Sequence, residues 1–262
     1  MVVETPVAEL HFEQYGAGAP IVILHGLFGS ARNWRSVAHK LAADFRVIAV
    51  DLRNHGSSPH LPDMSYNALS IDVSALLEKL DLDDVTLIGH SMGGKAAMTL
   101  SLAEPERIAR LVVVDIGPGP YDNEFDNILT AMSDLDLRTV TRRAEASDRL
   151  KQAIPDNDIR LFILQNLNLS TGRSLGWRIN LPAIRAEIAH LVGAIPRDRG
   201  SSFDGATYFI RGENSQRVAD QQLALIGQYF PGYELITITD AGHWPHAENP
   251  TEFFTTLRQI LL

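Results

Sequence analysis

A serine between two glycines is the group in this sequence that points most directly to covalent chemistry. The run GHSMG at 89–93 fits the pattern G-x-S-x-G, with Ser91 at its centre. In that pattern a strand folds sharply into a helix and presents a nucleophilic serine, and glycines are needed because the two backbones approach closely. The run from Gly89 to Lys95 also fits G-x-x-x-x-G-K, the start of a phosphate-binding loop.

The residue after Lys95 distinguishes these two interpretations. A phosphate-binding loop has Ser or Thr at that position, because the hydroxyl completes the coordination shell of Mg²⁺. Here the position is occupied by Ala96. The sequence therefore favours Ser91 as a nucleophile, and an ordinary glycine-rich turn is the alternative without catalysis.

A serine nucleophile needs a base that removes its proton. The segment AGHWPHAENP at 241–250 supplies His243 and His246. His243 follows an apolar strand pattern by a few residues, and ligands bind at such strand ends in open α/β sheets. We therefore predict His243 as the base. A metal site at this pair is not expected, because no third convergent ligand accompanies the two histidines.

The oxyanion that develops during acyl transfer needs two backbone N–H donors. Met92 follows the nucleophile at a helix N-terminus, where unpaired amides and the helix dipole favour negative charge. Leu27 lies in the glycine-flanked loop HGLFG at 25–29. We predict that the Leu27 and Met92 amides form the oxyanion hole and that His25 is a buried structural residue of this loop.

The elements that must position these residues alternate along the chain. Continuous apolar, β-branched runs predict buried strands at 20–26, 45–51, 84–90, 109–115, 207–212 and 233–240. Helical spacing of apolar residues predicts helices at 31–43, 66–80, 91–104, about 217–229 and about 250–262. This alternation is typical of the α/β class with a doubly wound, mostly parallel sheet.

One segment interrupts the alternation. From Phe125 to about residue 195 the pattern is helical and contains no buried strand. We therefore predict two parts, a core formed by residues 1–116 and 201–262 and a helical cap at 117–200, inserted after the strand at 109–115.

Composition excludes several classes of function. The 262-residue chain has no cysteine, which removes disulfides, thiolate nucleophiles and cysteine-based metal sites. A formal net charge of −9 argues against nucleic acid or an anionic membrane as partner. No basic leader precedes an apolar run, and no run approaches the ~18 apolar residues of a membrane span, so we expect a soluble cytoplasmic protein. The oligomeric state stays open.

Five motifs together resemble a known family. HGLFGS, DLRNHGSS, GHSMGGK, VVVDIGP and AGHWPHAE occur in this order, and with them nearly the whole chain resembles a serine hydrolase of the α/β-hydrolase superfamily. Lysine after GHSMGG, aspartate in VVVDIGP, GENS without a carboxylate at its serine, and WRINL resemble the YbfF-type carboxylesterases. The resemblance implies an α/β-hydrolase fold, cofactor-free hydrolysis of carboxylic esters or acyl thioesters, and Ser91, Asp115 and His243 as catalytic triad.

The acid of this triad departs from the commonest arrangement in the superfamily. That arrangement would place a carboxylate at the serine of the loop RGENS, which is Ser215 here. Asp115 closes the preceding strand pattern and can reach the same imidazole from the neighbouring strand end. We predict that Asp115 orients His243 and supports its charge. Glu213 is the reserve candidate, and Asp240 is less favoured because it lies so close in sequence to His243.

The predicted reaction is acyl transfer through an ester of Ser91, with a small-molecule ester as substrate and no cofactor. The predicted lining for the acyl group is Phe28, Met92, Tyr121, Phe125 and Trp244, each of which could instead pack in a core. Two alternatives remain at this point: the same triad could serve C–C bond hydrolysis or cofactor-free perhydrolysis, or the fold could bind a ligand with hardly any turnover.

Overall fold

A central sheet carries the elements that bear the predicted site residues. The computed structural model describes residues 6–168, 176–198 and 200–262. Its strands are β1 (Phe12–Tyr15), β2 (Pro20–Leu24), β3 (Arg46–Val50), β4 (Val85–His90), β5 (Ile108–Val114), β6 (Leu167–Asn168), β7 (Gly176–Trp177), β8 (Ala206–Gly212) and β9 (Glu234–Ile238). Seven of them form one sheet in the order β1-β3-β2-β4-β5-β8-β9. Only the β1–β3 pair is antiparallel within this sheet, so the predicted α/β class with a mostly parallel sheet is confirmed.

Helices connect and cover the strands. They are α1 (Arg35–Leu41), α2 (Tyr66–Lys79), α3 (Met92–Ala103), α4 (Asp126–Asp134), α5 (Arg143–Leu150), α6 (Asn157–Leu164), α7 (Leu181–Val192), α8 (Asp220–Tyr229), α9 (Pro245–Glu248) and α10 (Pro250–Leu261). Short 3₁₀ helices add Ala31–Trp34, Pro105–Arg107 and Leu137–Thr139. Within the described ranges, no helix is both long enough and apolar enough to span a membrane.

The sheet is buried on both faces, which explains why its strands are continuously apolar. In β2, Ile21 and Ile23 belong to a core cluster that contains Trp34 and residues of α1 and α10. The alternating residues Val22 and Leu24 belong to a second cluster that contains residues of α2 and α3. Because successive side chains of a strand point to opposite faces, both sets must be apolar.

Two features of the sheets were not predicted from the sequence. β1 lies at the edge of the main sheet, where Phe12 pairs with Val50, and its four residues FEQY are mostly half-buried. Four residues that are only partly buried do not show a clear alternation of apolar and polar side chains. The expectation of no buried strand in the helical segment is wrong at Leu167, which is buried and pairs with Trp177 in the two-residue ladder of β6 and β7. Two residues are too few to produce a recognisable pattern.

Helices α4 to α7 lie between β5 and β8 in the chain and contact the sheet-bearing part through polar bonds. The Tyr66 hydroxyl donates to the Leu191 carbonyl at 2.6 Å, and the Asn166 side-chain amide donates to the Phe28 carbonyl at 2.7 Å. These bonds hold the end of α7 close to α2, and the residues after α6 close to the loop after β2. The division of the chain into a core and a cap at 117–200 stays a prediction.

Candidate active site

Ser91 occupies the turn between β4 and α3. Its backbone has φ 51° and ψ −120°, a region that residues with a side chain rarely adopt and that is typical of functional turns. A Cβ on Gly89 would collide with the backbone of Gly93, and a Cβ on Gly93 would collide with the carbonyl of Leu24. The two glycines of the motif are therefore required by the close approach of strand and helix.

His243 connects Ser91 to an acid. It lies in the loop between β9 and α9, with Nε2 at 3.1 Å from Ser91 Oγ and Nδ1 at 2.8 Å from Asp115 Oδ2. With its proton assigned to Nδ1, the ring donates to the carboxylate and Nε2 accepts from the serine hydroxyl. The His90 ring, which precedes Ser91, donates from Nε2 to the His243 carbonyl at 2.8 Å and so fixes this loop beside β4.

Asp115 is fully buried and follows the last residue of β5. Its Oδ1 accepts from the Gly212 amide at 3.0 Å, and its Oδ2 accepts from the Ser215 hydroxyl at 2.5 Å as well as from His243. The cause is the sheet order, because β5 pairs with β8 and the Asp115 amide itself donates to the Ile210 carbonyl at 2.8 Å. The carboxylate is therefore held in place by fixed donors from the neighbouring strand end.

The other acidic candidate is engaged elsewhere. Glu213 accepts through Oε2 from the Asp240 amide at 3.0 Å, so its carboxylate links the segment after β8 to the segment after β9. Among the contacts of the described residues, it is Asp115 and not Glu213 that reaches the His243 ring.

Two residues beside Ser91 have backbone amides without a protein partner in the described part of the chain. Leu27 and Met92 line one cavity together with Ser91, and neither amide donates to another protein group in the described part of the chain. Met92 is the first residue of α3, so its N–H has no partner within the helix. A bond from the Gly29 amide to the Gly26 carbonyl at 2.9 Å closes the turn that contains Leu27. The arrangement suits an oxyanion bound at the helix N-terminus.

A cavity of about 30 Å³ adjoins Ser91 on the side of the helical segment. Besides Ser91, Leu27 and Met92, its lining consists of Tyr66, Lys95, Ile116, Tyr121, Phe125, Leu191, Val192 and Arg217. Most of these side chains are apolar. The cavity therefore has a mostly apolar wall next to Ser91.

Comparison with known proteins identifies the family. A family model described as the alpha/beta hydrolase fold matches residues 19–250. The chain belongs to this family. The family predicted from the five sequence motifs is thereby confirmed.

Individual members of the family resemble the whole chain. The sn-1-specific diacylglycerol lipase ABHD11 of Danio rerio is 37% identical over 258 residues, which cover 95% of this chain and 80% of that protein. The esterase YbfF of Escherichia coli strain K12 is 35% identical over 244 residues, which cover 93% of each. A solved structure of a marine microorganism esterase superposes with a TM-score of 0.92 at 35% identity, covering 97% of this chain and 99% of that one.

The lining predicted for this α/β-hydrolase divides into two groups. Tyr121 and Phe125, like Met92, line the cavity beside Ser91. Phe28 lines a different cleft and contacts Phe125 through its ring edge, with ring centroids 6.0 Å apart. Trp244 lines a third cleft and packs against Phe162 with a centroid distance of 5.7 Å. Phe28 and Trp244 are therefore not part of the wall of the cavity beside Ser91.

Several lining residues of this α/β-hydrolase were not found from the sequence. They are Tyr66, Ile116, Leu191, Val192 and Arg217, and they come from four separate parts of the chain. No local pattern marks them, because their position depends on where α2, α7 and the loop after β8 meet. The short distance in sequence between Ile116 and Asp115 was the only signal available.

Lys95 lies in the interior of the α/β-hydrolase. Its side chain is buried, and Nζ donates to the Gly119 carbonyl at 2.8 Å and to the Gly193 carbonyl at 2.5 Å. Burial, with a smaller contribution from the positive charge of Arg217, lowers the pKa of the Lys95 ammonium to about 7. The lysine that suggested a phosphate-binding loop therefore bonds backbone carbonyls beside the cavity that Ser91 lines.

The other histidines near the site have structural contacts. His25 accepts through Nε2 from the Leu52 amide at 3.0 Å and donates to the Gly26 carbonyl at 2.8 Å, and burial lowers its pKa to about 4. This agrees with the structural role predicted for His25. The ring of His246 stacks on Trp34 with a centroid distance of 4.4 Å and also packs against the rings of His90 and Phe253. Of the two histidines in AGHWPHAENP, the structure places His243 at the nucleophile.

Proposed function

We propose that this protein is a carboxylesterase whose nucleophile is Ser91. Its esterase and lipase relatives, 35–37% identical over most of the chain, make it a hydrolase that cleaves carboxylic esters. The observation that supports the residue roles is the unbroken chain of contacts from Ser91 through His243 to Asp115, at 3.1 and 2.8 Å. The base is thus within hydrogen-bond reach of both the nucleophile and the orienting acid.

In the first half of the proposed reaction, Ser91 Oγ attacks the carbonyl carbon of the ester while His243 Nε2 takes its proton. The carbonyl electrons move onto oxygen, and the Leu27 and Met92 amides donate to that oxyanion. When the tetrahedral intermediate collapses, the bond to the alcohol breaks and the imidazolium gives its proton to the alcohol. Asp115 stabilises the positive imidazolium and keeps its orientation.

In the second half, a water molecule replaces the alcohol. His243 removes a proton from the water, the resulting hydroxide adds to the acyl carbon, and the bond to Ser91 Oγ breaks as Oγ recovers a proton from the imidazolium. The same two amides hold the second oxyanion. The products are a carboxylic acid and the free enzyme, and the protein's own residues supply every proton transfer. A small-molecule ester is the proposed substrate, and an acyl thioester would react by the same steps.

The test of this proposal is Ser91→Ala assayed on p-nitrophenyl acetate. Removing the nucleophile of a triad lowers kcat by a factor on the order of 10⁶. The matched control is Ser202→Ala, because Ser202 is exposed and does not line the cavity beside Ser91. Retention of more than about a tenth of the wild-type kcat by Ser91→Ala would contradict the proposal. If p-nitrophenyl esters were inert but C–C bond substrates were cleaved, the alternative chemistry on the same triad would replace it.

A further inference from the structure

The cavity beside Ser91 contains two basic side chains that the ester-cleaving reaction does not use. Lys95 and Arg217 both line it, beside Ser91. Among the described residues that form this lining, none is an aspartate or a glutamate. Burying an ammonium in an apolar cavity lowers the stability of the fold, because the charge loses its hydration. A methionine at position 95 would fill similar space without this desolvation penalty. We therefore looked for a function of the basic group.

Lys95 is incompletely bonded by the protein. Its ammonium has three N–H groups, two of which donate to the carbonyls of Gly119 and Gly193. The remaining contacts are with ring faces, at 4.8 Å from the Tyr121 centroid and 5.5 Å from that of Tyr66. No third acceptor is present in the part of the chain that the structure describes. The ammonium therefore retains one donor for a guest in the cavity.

Arg217 carries a charge that can be shared with a guest. Its guanidinium pairs with Glu124 at 2.6 Å, but the Glu124 side chain is 65% exposed. Ion pairs with so exposed a partner contribute little, because water and salt screen them. Lys95 and Arg217 also repel each other, and this repulsion is one cause of the lowered pKa of Lys95. An anion bound between them would relieve that repulsion and gain charge-assisted hydrogen bonds.

The position of Lys95 relates the negative group to one part of the substrate. Lys95 lies in the first turn of α3 and lines the same cavity as Ser91, which precedes that helix. The cavity is assigned to the acyl part of the substrate, because Tyr121 and Phe125, two of the residues predicted to line the acyl group, form part of its wall. The 30 Å³ cavity limits that part to a short chain.

We propose that this enzyme selects esters whose short acyl group ends in a carboxylate, that is, monoesters of short dicarboxylic acids. Lys95 and Arg217 are the specificity-determining residues, and they bind the terminal carboxylate while Ser91 attacks the ester carbonyl. This inference rests on the proposed function of Ser91 as nucleophile. It names the class of acyl group, which the triad alone does not define.

The test uses two esters of the same size and shape. Monoethyl succinate carries the terminal carboxylate, and ethyl 4-methylpentanoate replaces it with an isopropyl group. We expect wild-type kcat/KM to be about 10- to 100-fold higher for monoethyl succinate, as is typical of hydrogen bonds to charged groups. The release of acid is followed by pH-stat titration, which reports both substrates in the same way.

Substitutions then separate recognition from support of the fold. Lys95→Met should lower the ratio of kcat/KM for monoethyl succinate to kcat/KM for ethyl 4-methylpentanoate at least tenfold. Arg217→Met should lower this ratio less, because the Arg217 guanidinium is already paired with Glu124. Lys79→Met is the control, since Lys79 is exposed on α2 and pairs with Glu9. Circular dichroism and p-nitrophenyl acetate hydrolysis show whether each variant is folded and whether its triad works.

Each outcome decides the proposal. A wild-type preference for ethyl 4-methylpentanoate overturns it, and this result needs no variant to fold. An equal loss on both esters in Lys95→Met also overturns it, because Lys95 would then only brace the Gly119 and Gly193 carbonyls. If wild-type protein hydrolyses p-nitrophenyl acetate without any preference in the matched pair, this inference alone fails. If it hydrolyses no ester, the proposed function fails with it.

Discussion

The hydroxyl of Ser215 donates to Asp115 Oδ2 at 2.5 Å, although 100 residues separate the two in the chain. The same oxygen faces His243 Nδ1 at 2.8 Å. Ser215 occupies the position where the superfamily commonly has its acid, and it is a hydrogen-bond partner of the proposed acid, Asp115. It is a fixed donor that helps to hold the relocated carboxylate against the imidazole.

Replacement of the acid is the first test of this arrangement. In Asp115→Asn the side chain keeps its size but cannot stabilise the imidazolium or hold its tautomer. We expect kcat to fall by roughly 10³–10⁴ with little change in KM. Steady-state kinetics on p-nitrophenyl acetate measure both constants. Glu213→Gln is the matched control, and its kcat should stay near that of the wild type because Glu213 bonds the Asp240 amide. A large loss in Glu213→Gln with a small one in Asp115→Asn would transfer the role to Glu213.

A carboxylate moved to position 215 should restore part of the lost rate. The Ser215 hydroxyl already lies beside the oxygen that faces His243, so an aspartate there would place its charge close to the same ring. The double variant Asp115→Asn/Ser215→Asp should therefore have a higher kcat than Asp115→Asn alone. Ser215→Asn in the Asp115→Asn background is the control without charge. Equal kcat in both double variants would show that a carboxylate at position 215, after β8, cannot replace the carboxylate at position 115, after β5, in its contact with His243.

His246 allows a prediction about stability in acid. Burial and the nearby His243 lower the pKa of His246 to about 3, below its ordinary value of 6.5. Between these values the unfolded chain binds a proton that the folded protein does not, so the free energy of unfolding falls as pH falls through this window. His246→Phe keeps the ring stacked on Trp34 and removes the titrating group. As the pH falls from 6 to 4, the free energy of unfolding of the variant should decrease by about 1.4 kcal/mol less per pH unit than that of the wild type.

Urea denaturation at several pH values between 7 and 4 measures this difference. The same substitution at the exposed His39 is the control for the general effect of losing a histidine. If wild type and His246→Phe lost stability in parallel over this range, the depressed pKa of His246 would be refuted.

The sequence predicted those parts of the fold and site that local chemistry determines. Strands such as β2 and β4 were found because burial on both faces makes them continuously apolar. The turn at Ser91 was predicted because it demands glycines at fixed positions, and the structure has this turn between β4 and α3. The preference for His243 over His246 followed from its place just after a strand end, and the structure brings His243 to the Ser91 hydroxyl.

Other parts depend on contacts between distant segments and have no local signature. The bond between Ser215 and Asp115 exists because β5 and β8 are neighbours in the sheet, with Val114 paired to Ile210. The sequence suggested that the two strand ends converge, but it did not indicate that Ser215 would bond the carboxylate. Arg217 was likewise unrecognised, because only the folded chain brings its loop to the cavity that Lys95 lines.

The most direct test of the central claim is to locate the atom that becomes covalently modified. A p-nitrophenyl phosphonate ester reacts as a stable mimic of the tetrahedral intermediate, so its adduct marks the nucleophile. After inactivation, mass spectrometry of the digested protein should find one adduct, on the peptide that contains Ser91, in proportion to the activity lost. Ser91→Ala should take up no adduct. Complete inactivation with the adduct on another residue, or with Ser91 unmodified, would contradict the account.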